Sequence, residues 1–294
     1  MDVDRRRLFD HVEKICATPR PAESDALRAA RDYVRGCLEE FGWYVEPERF
    51  RMTDDLGAQL TGINLVAAHR EHPLSGGPRF LVGAHLDSRP DSPGADDNGS
   101  AVATLLEIAR VLPPIWPADP RLELQLVVFD LEENGMLGGA YQATRANDLG
   151  IDLRGMVSLE MLGYCDHAPQ SQNLPRQLVG LYPDTGDFIA IIGNQNSVAL
   201  IDSFRDGMQQ APGLPVETLC VPQNGELLQA TRLSDHSPFW DAGFAALMIT
   251  DTSFLRNPHY HLPSDTIDTL DFDFLHHVAI GCAQATRNII ANGL

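Results

Sequence analysis

Three short, mostly apolar runs dominate what this chain can fold into. Phe80–Ala84, Leu122–Phe129 and Gly155–Leu159 are too short for ordinary helices and rich in Val, Leu and Phe. Runs of that kind read as strands buried on both faces, the interior of a largely parallel sheet. Each gives way almost at once to a side chain that can bind a metal: His85 in GAHLDS, Glu133 in FDLEENG and Glu160 in VSLEML. The carboxyl ends of strands are where open α/β sheets place their ligands.

The rest of the chain alternates around these runs. Leu27, Ala30, Tyr33, Val34 and Leu38 recur at helical spacing, which predicts a helix over Pro21–Phe41 closed by Gly42. Further strands are expected over Trp43–Phe50, Leu60–Ala68, Phe188–Ile192, Val216–Val221 and Ala245–Thr250. Helices are expected over Ala101–Leu112 (capped by Ser100 and stopped by Pro113), Ala140–Ala146, Val198–Gln210 and Phe272–Ile290. The order predicts one α/β domain over residues 1–294, a mixed, mostly parallel twisted sheet with helices on both faces. Residues 163–186 carry no clear period, and 223–238 form a second long polar stretch. The first is long for a structureless connection, so it is read as a functional loop.

Composition removes several function classes. A hydrophobic content of 44% over 294 residues is ample for a core. A formal charge of −19 argues against a nucleic-acid partner and suits a site that attracts cations or amines. Cys16, Cys37, Cys165, Cys220 and Cys282 are widely spaced and form no CxxC, so neither a zinc–thiolate site nor a disulfide scaffold is expected. A single Cys165–Cys220 bridge stays open. The first residues have no apolar signal-peptide core, and no run approaches the roughly 20 residues of a membrane span. A cytoplasmic location with no membrane partner is the expectation.

Asp97 in GADDNGS and His261 in HYHLPSDT bring the ligand-type residues to five. Two histidines and three carboxylates exceed what one zinc with an open position takes. They suit two divalent ions about 3.5–4 Å apart that share a bridging carboxylate. Glu132 leaves the strand beside Glu133 in a different direction, free to act as a base. Asp87 and Asp265 each follow a histidine closely and offer a carboxylate to orient its ring. Asp96 and Asn98 fit turn-forming or supporting roles. Glu160 ends a strand too apolar to leave its charge uncompensated. On spacing alone, either His259 or His261 can ligate.

Taken in order, HLD at 85–87, ADDNGS at 95–100, EENG at 132–135, EMLG at 160–163 and HLPSDT at 261–266 resemble the co-catalytic zinc aminopeptidases of peptidase family M28. The resemblance runs from about residue 79 to 270. It implies a zinc-exopeptidase (phosphorylase/hydrolase-like) sheet and two divalent ions, zinc by expectation. Asp97 would bridge them, His85 and Glu160 would complete one site, and Glu133 and His261 the other. Glu132 would be the general base, and Tyr260 would help stabilise the tetrahedral intermediate. SDHSPFW at 234–240 resembles a segment near the substrate, which makes His236 a candidate either to support the site residues or to contact the substrate. The implied activity is hydrolysis of the first peptide bond of a peptide with a free N-terminus. Many relatives have aspartate where this chain has Glu160.

Three other readings share the fold. A glutaminyl-cyclase-like transferase would use one zinc and would not need His85 as a ligand. A non-catalytic binding domain could lose ligands or the base. A carboxypeptidase or dipeptidase would need a cationic pocket, for which Arg176, Arg205 and Arg256 are candidates.

Overall fold

The strands pair into one eight-stranded sheet in the computed structural model, which describes residues 1–294. In chain order the elements are α1 (Arg5–Ile15), α2 (Asp25–Glu40), β1 (Trp43–Thr53), β2 (Gln59–His69), β3 (Arg79–His85), α3 (Ala101–Val111), β4 (Glu123–Phe129) and α4 (Leu137–Asp148). There follow β5 (Leu153–Glu160), β6 (Ile189–Asn194), α5 (Val198–Met208), β7 (Val216–Val221), α6 (His236–Asp241), β8 (Ala246–Thr250) and α7 (Phe272–Asn292). The sheet order is β1-β2-β4-β3-β5-β8-β6-β7. Its four central strands, β4-β3-β5-β8, run parallel, while β1, β2 and β6 enter antiparallel to a neighbour. The carboxyl ends of the central strands therefore lie side by side.

Period-2 alternation sorts the strand residues between two cores. Phe80, Val82 and Ala84 of β3, with Leu124, Leu126 and Val128 of β4, face a core of 52 buried residues that also takes apolar side chains of α1, α2, α3, α5 and α7. Leu81, Val127, Met156, Ala190, Ile192 and Met248 face the other way, into a core of only 15 that includes residues of α4 and α6. Helices thus flank both faces, but unequally. The short α4 and α6 meet β2, β5 and β8 on the thin side. They leave the β6–β7 end of that side to irregular chain.

Several details depart from the sequence reading. Leu8, Val12 and Ile15 recur at helical spacing, and α1 forms there with Asp4 accepting from the amides of Arg6 and Arg7 at its start. α6 begins at the end of the polar stretch 223–238 and runs on to Asp241. Ser100 is not a cap: its backbone is already helical, and its hydroxyl is taken by the Asp96 carbonyl at 2.9 Å and the Leu162 amide at 2.9 Å. All five cysteines are free, so Cys165 and Cys220 are not bridged. No helix is long and apolar enough to cross a membrane.

The closing helix is set by a close crossing. A Cβ at Gly207 on α5 would come within 2.3 Å of the Ala285 backbone on α7. Only a residue without a side chain lets the two helices approach so closely. Gly207→Val should therefore destabilise the protein by about 1–3 kcal/mol through overpacking, read as a melting temperature several degrees lower; an unchanged value would show that the crossing relaxes freely.

Candidate metal centre

In the sheet, His85 at the end of β3 pairs with Phe129 at the end of β4, and Glu160 at the end of β5 pairs with Thr250. The order β4-β3-β5 sets the side chain of His85 between those that follow β4 and the one that ends β5. Asp97 arrives from the loop before α3, and His261 from the loop before α7. His85 Nε2 lies 3.3 Å from one oxygen of Asp97 and 3.6 Å from Glu160. His261 Nε2 lies 3.2 Å from the other oxygen of Asp97 and 3.2 Å from Glu133. The five residues form two triads that share one carboxylate. Glu132 reaches within 3.8 Å of His85 Nε2.

Backbone anchoring fixes the loops that carry these groups. Asp265 accepts the amides of Asp96 and Asp97 at 2.9 and 3.1 Å. Asn98 spans the gap to β5, donating to the Leu159 carbonyl and accepting from the Met161 amide, each at 2.9 Å. Asp96 accepts from the Gly163 amide and from the side chain of Asn257. Arg20, fully buried, donates to the carbonyls of Leu86 and Gly94 at 2.9 and 3.2 Å and so pins both ends of the loop that delivers Asp97. Leu131, Met161 and His261 adopt positive φ values of 61°, 48° and 60°. Each is a ligand-type residue or adjoins one, and non-glycine residues hold such angles only where surrounding contacts impose them.

Two expected supporting roles fall to different atoms. The ring of His85 is met by the Asp87 backbone carbonyl, 3.1 Å from Nδ1, while the Asp87 carboxylate stands off at 3.6 Å. That carboxylate instead accepts the amides of Glu132 and Glu133, at 3.1 and 3.0 Å. Asp265 likewise holds backbone amides and does not orient the His261 ring. His236 does not enter the cluster. It is buried, its Nε2 is 2.9 Å from the Thr231 carbonyl, and its ring packs edge-on against Trp240. Its neighbours do the work that SDHSPFW suggested: Ser234 donates to Glu160 at 2.8 Å, and Asp235 accepts the Gly139 amide. Only their place beside His236 marked them in the sequence. Asn257 and Arg20 carry no signal there.

The electrostatics are those of a cation site. Burial pushes the Glu132 carboxyl well up, with His85 opposing and Glu160 and Glu133 adding. Burial, then Asp97, raises Glu133 to about 7. Glu160 is raised by burial, and Asp235 by burial to about 8. Burial alone would lower His85, but Glu160 and Glu132 raise it well above the usual range. His261 is likewise opposed by burial, yet its contacts with Asp97 and Glu133 bring it to about 9. Asp97 resists the effect of burial and stays low because both histidines face it. His85 Nε2 and one Glu133 oxygen are buried without a hydrogen-bond partner. Such atoms are costly unless something positive or polar meets them. Two divalent ions fit the donor set, with imidazole nitrogens and carboxylate oxygens in the proportions that zinc accepts.

Tyr260 stacks on His261 with ring centroids 3.7 Å apart. Burial, then Asp97 and the three glutamates, hold its hydroxyl protonated far above neutral pH. Beside Glu160 opens an apolar groove of about 760 Å³ including its mouth. Its floor is the uncovered end of the thin sheet face. Leu174, Leu178 and Tyr182 of the long loop wall it on one side, and Leu228, Leu233 and Phe254 on another. The loop is firmly held. Arg256 lies buried beneath it, stacked over Phe188 and donating to Gln172, and the Tyr182 hydroxyl donates to the Thr218 carbonyl.

The pattern of peptidase family M28 matches residues 64–286. The chain belongs to that family. It is 34% identical over 285 residues to the uncharacterized protein YfbL of Escherichia coli, covering 92% of this chain and 83% of YfbL. It is 28% identical over 217 residues to aminopeptidase YwaD of Bacillus subtilis, covering 71% of this chain but only 40% of that protein. Among solved structures, BSAP, a zinc aminopeptidase from Bacillus subtilis, superposes with a TM-score of 0.75 at 14% identity, over 99% of this chain and 97% of the other. The glutaminyl cyclase of Porphyromonas gingivalis gives 0.71 at 20% identity, over 97% and 98%. The fold is therefore common to M28 aminopeptidases and cyclases, and side chains must separate the two chemistries. No lysine, arginine or histidine lines the groove of this M28 chain. Arg205 pairs with Asp202 and Asp206, Arg256 is committed beneath the loop, and Arg176 is exposed.

Without ions, the site should make stability depend on pH in one direction. Glu133, Asp265 and Asp235 keep their protons up to about 7, 7 and 8, and His261 up to about 9. Across that window the folded chain binds more protons than the unfolded one, so stability falls as pH rises. Asp97 acts oppositely, but its contribution is lost only below the ordinary carboxylate range. Chelator-stripped protein should thus melt lower at pH 8.5 than at pH 5.5. Added Zn²⁺ should raise the melting temperature by an increment that grows with pH, because ions displace protons. A stripped protein that gains stability toward alkaline pH would contradict this charge balance.

Proposed function

We propose that this M28 protein is a metal-dependent aminopeptidase working with two divalent ions, zinc by choice of donors. The observation that carries the reading is Asp97, whose two oxygens each face a different histidine–carboxylate pair, beside a Glu132 carboxylate that the fold leaves free. His85 and Glu160 would hold one ion and Glu133 and His261 the other, with Asp97 between them. When bound, the ions supply Lewis acidity that lowers the pKa of water and polarises a carbonyl.

The chain's own residues do the rest. Glu132 sits at the mouth of the cluster, and its raised proton affinity suits a group that takes a proton from water and returns it to the leaving amine. The protonated hydroxyl of Tyr260 can donate to the carbonyl oxygen as charge develops there. The carboxylate-rich mouth attracts a free α-ammonium group, and the groove beside Glu160 receives the first side chain. A groove without a cationic group gives a substrate carboxylate nothing to bind, which favours amino- over carboxypeptidase action.

Metals counted per chain by mass spectrometry after zinc reconstitution should come to two. Dipeptides with a free amine should be cleaved, and their N-acetyl forms should not. One metal per chain together with ammonia release from an N-terminal glutamine would instead identify a cyclase. Glu132→Gln should keep its metal and lose about 10²- to 10⁴-fold in kcat; near-normal turnover in that variant would remove Glu132 from its role.

A further inference from the structure

The floor of the groove is a straight row of paired residues across four strands. Glu160 on β5 pairs with Thr250 on β8, Thr250 with Ala190 on β6, and Ala190 with Glu217 on β7. Paired residues project to the same face, and all four line the groove. Three inter-strand steps place Glu217 about 14 Å from Glu160 along the floor. A parallel row, Met248, Ile192 and Leu219, gives the floor its apolar surface. The groove thus runs from the metal cluster to the sheet edge, apolar in the middle and with a carboxylate at each end.

Glu160 belongs to the cluster. Glu217 has no such employment: burial alone raises its carboxyl, with no neighbouring charge acting on it. The geometry points to Glu217 as the specificity residue of the groove, selecting peptides whose first side chain is long and ends in a cation, lysine or arginine. This rests on the aminopeptidase reading above. A leucine side chain stops well short of the edge strand. Lysine and arginine lay a methylene stem along an apolar floor and carry their charge to its far end. Norleucine fills the same path but leaves Glu217 without a partner.

The test compares kcat/KM of the zinc-loaded full chain for Lys-Ala against norleucine-Ala, and for Arg-Ala against citrulline-Ala. Because Glu217 is half-buried, the cationic member should lead by about three- to tenfold at low ionic strength and lose part of that lead in high salt. Glu217→Gln should bring both ratios close to one, and Glu217→Asp should retain part of the preference. Ratios at or below one in the parent protein, or ratios unmoved by Glu217→Gln, overturn the proposal. If no dipeptide is cleaved, the hydrolase reading falls. Calorimetric binding of lysinamide against norleucinamide then decides the groove: tighter lysinamide binding upholds the assignment, and equal affinities reject it.

Discussion

The structure gathers more negative charge in one buried place than protein dielectric can hold unaided. Asp97, Glu132, Glu133 and Glu160 gather around two imidazoles with Asp235 close by; burial pushes all these carboxyls up, and only at Asp97 do the histidines outweigh it. Such a cluster survives only with cations or protons to balance it. The surrounding architecture is organised to keep these groups together nonetheless. Parallel strands end in register, an arginine threads the carbonyls of the loop before α3, and three carboxyl-type side chains (Asp87, Asp96 and Asp265) are spent on main-chain amides.

Much of this was legible in the sequence for a simple reason. A strand buried on both faces must be apolar throughout, so a histidine or glutamate at its end stands out, as His85 and Glu160 do. The same logic recovered the α/β alternation and the strands of the sheet. Supporting roles were less legible because they depend on atoms that residue identity does not specify. Asp87 follows His85 by two positions, yet the atom that meets the ring is its carbonyl oxygen, which any residue could supply. Its carboxylate serves the Glu132–Glu133 backbone, 45 residues away in sequence. His236 drew notice as a titratable group, whereas Ser234, a residue with no special chemistry, touches the cluster. The apolar spacing of Leu8, Val12 and Ile15 that forms α1 is plain in the sequence, but the short charged segment around it gives no sign of the core it joins.

The uneven cover of the sheet explains where the groove opens. Five helices share the thick core, while α4 and α6 occupy only part of the opposite face. The strip over β6 and β7 is left to the long loop and to the polar stretch before α6. Both wall the groove, and the long loop is fastened there by Arg256, Gln172 and Tyr182 in place of regular secondary structure.

The clamp between Asp265 and the amides of Asp96 and Asp97 joins positions 168 or more residues apart. One triad also takes its histidine from position 261, after the last strand has formed. On a chain emerging from the ribosome, most of the sheet can pair before either contact exists. Asp97 comes to face both histidines only when the last loop docks. Contacts of such long sequence separation form late in folding, so the cluster is completed in one step, when the segment from His261 to Asp265 docks, and the sheet alone does not assemble it.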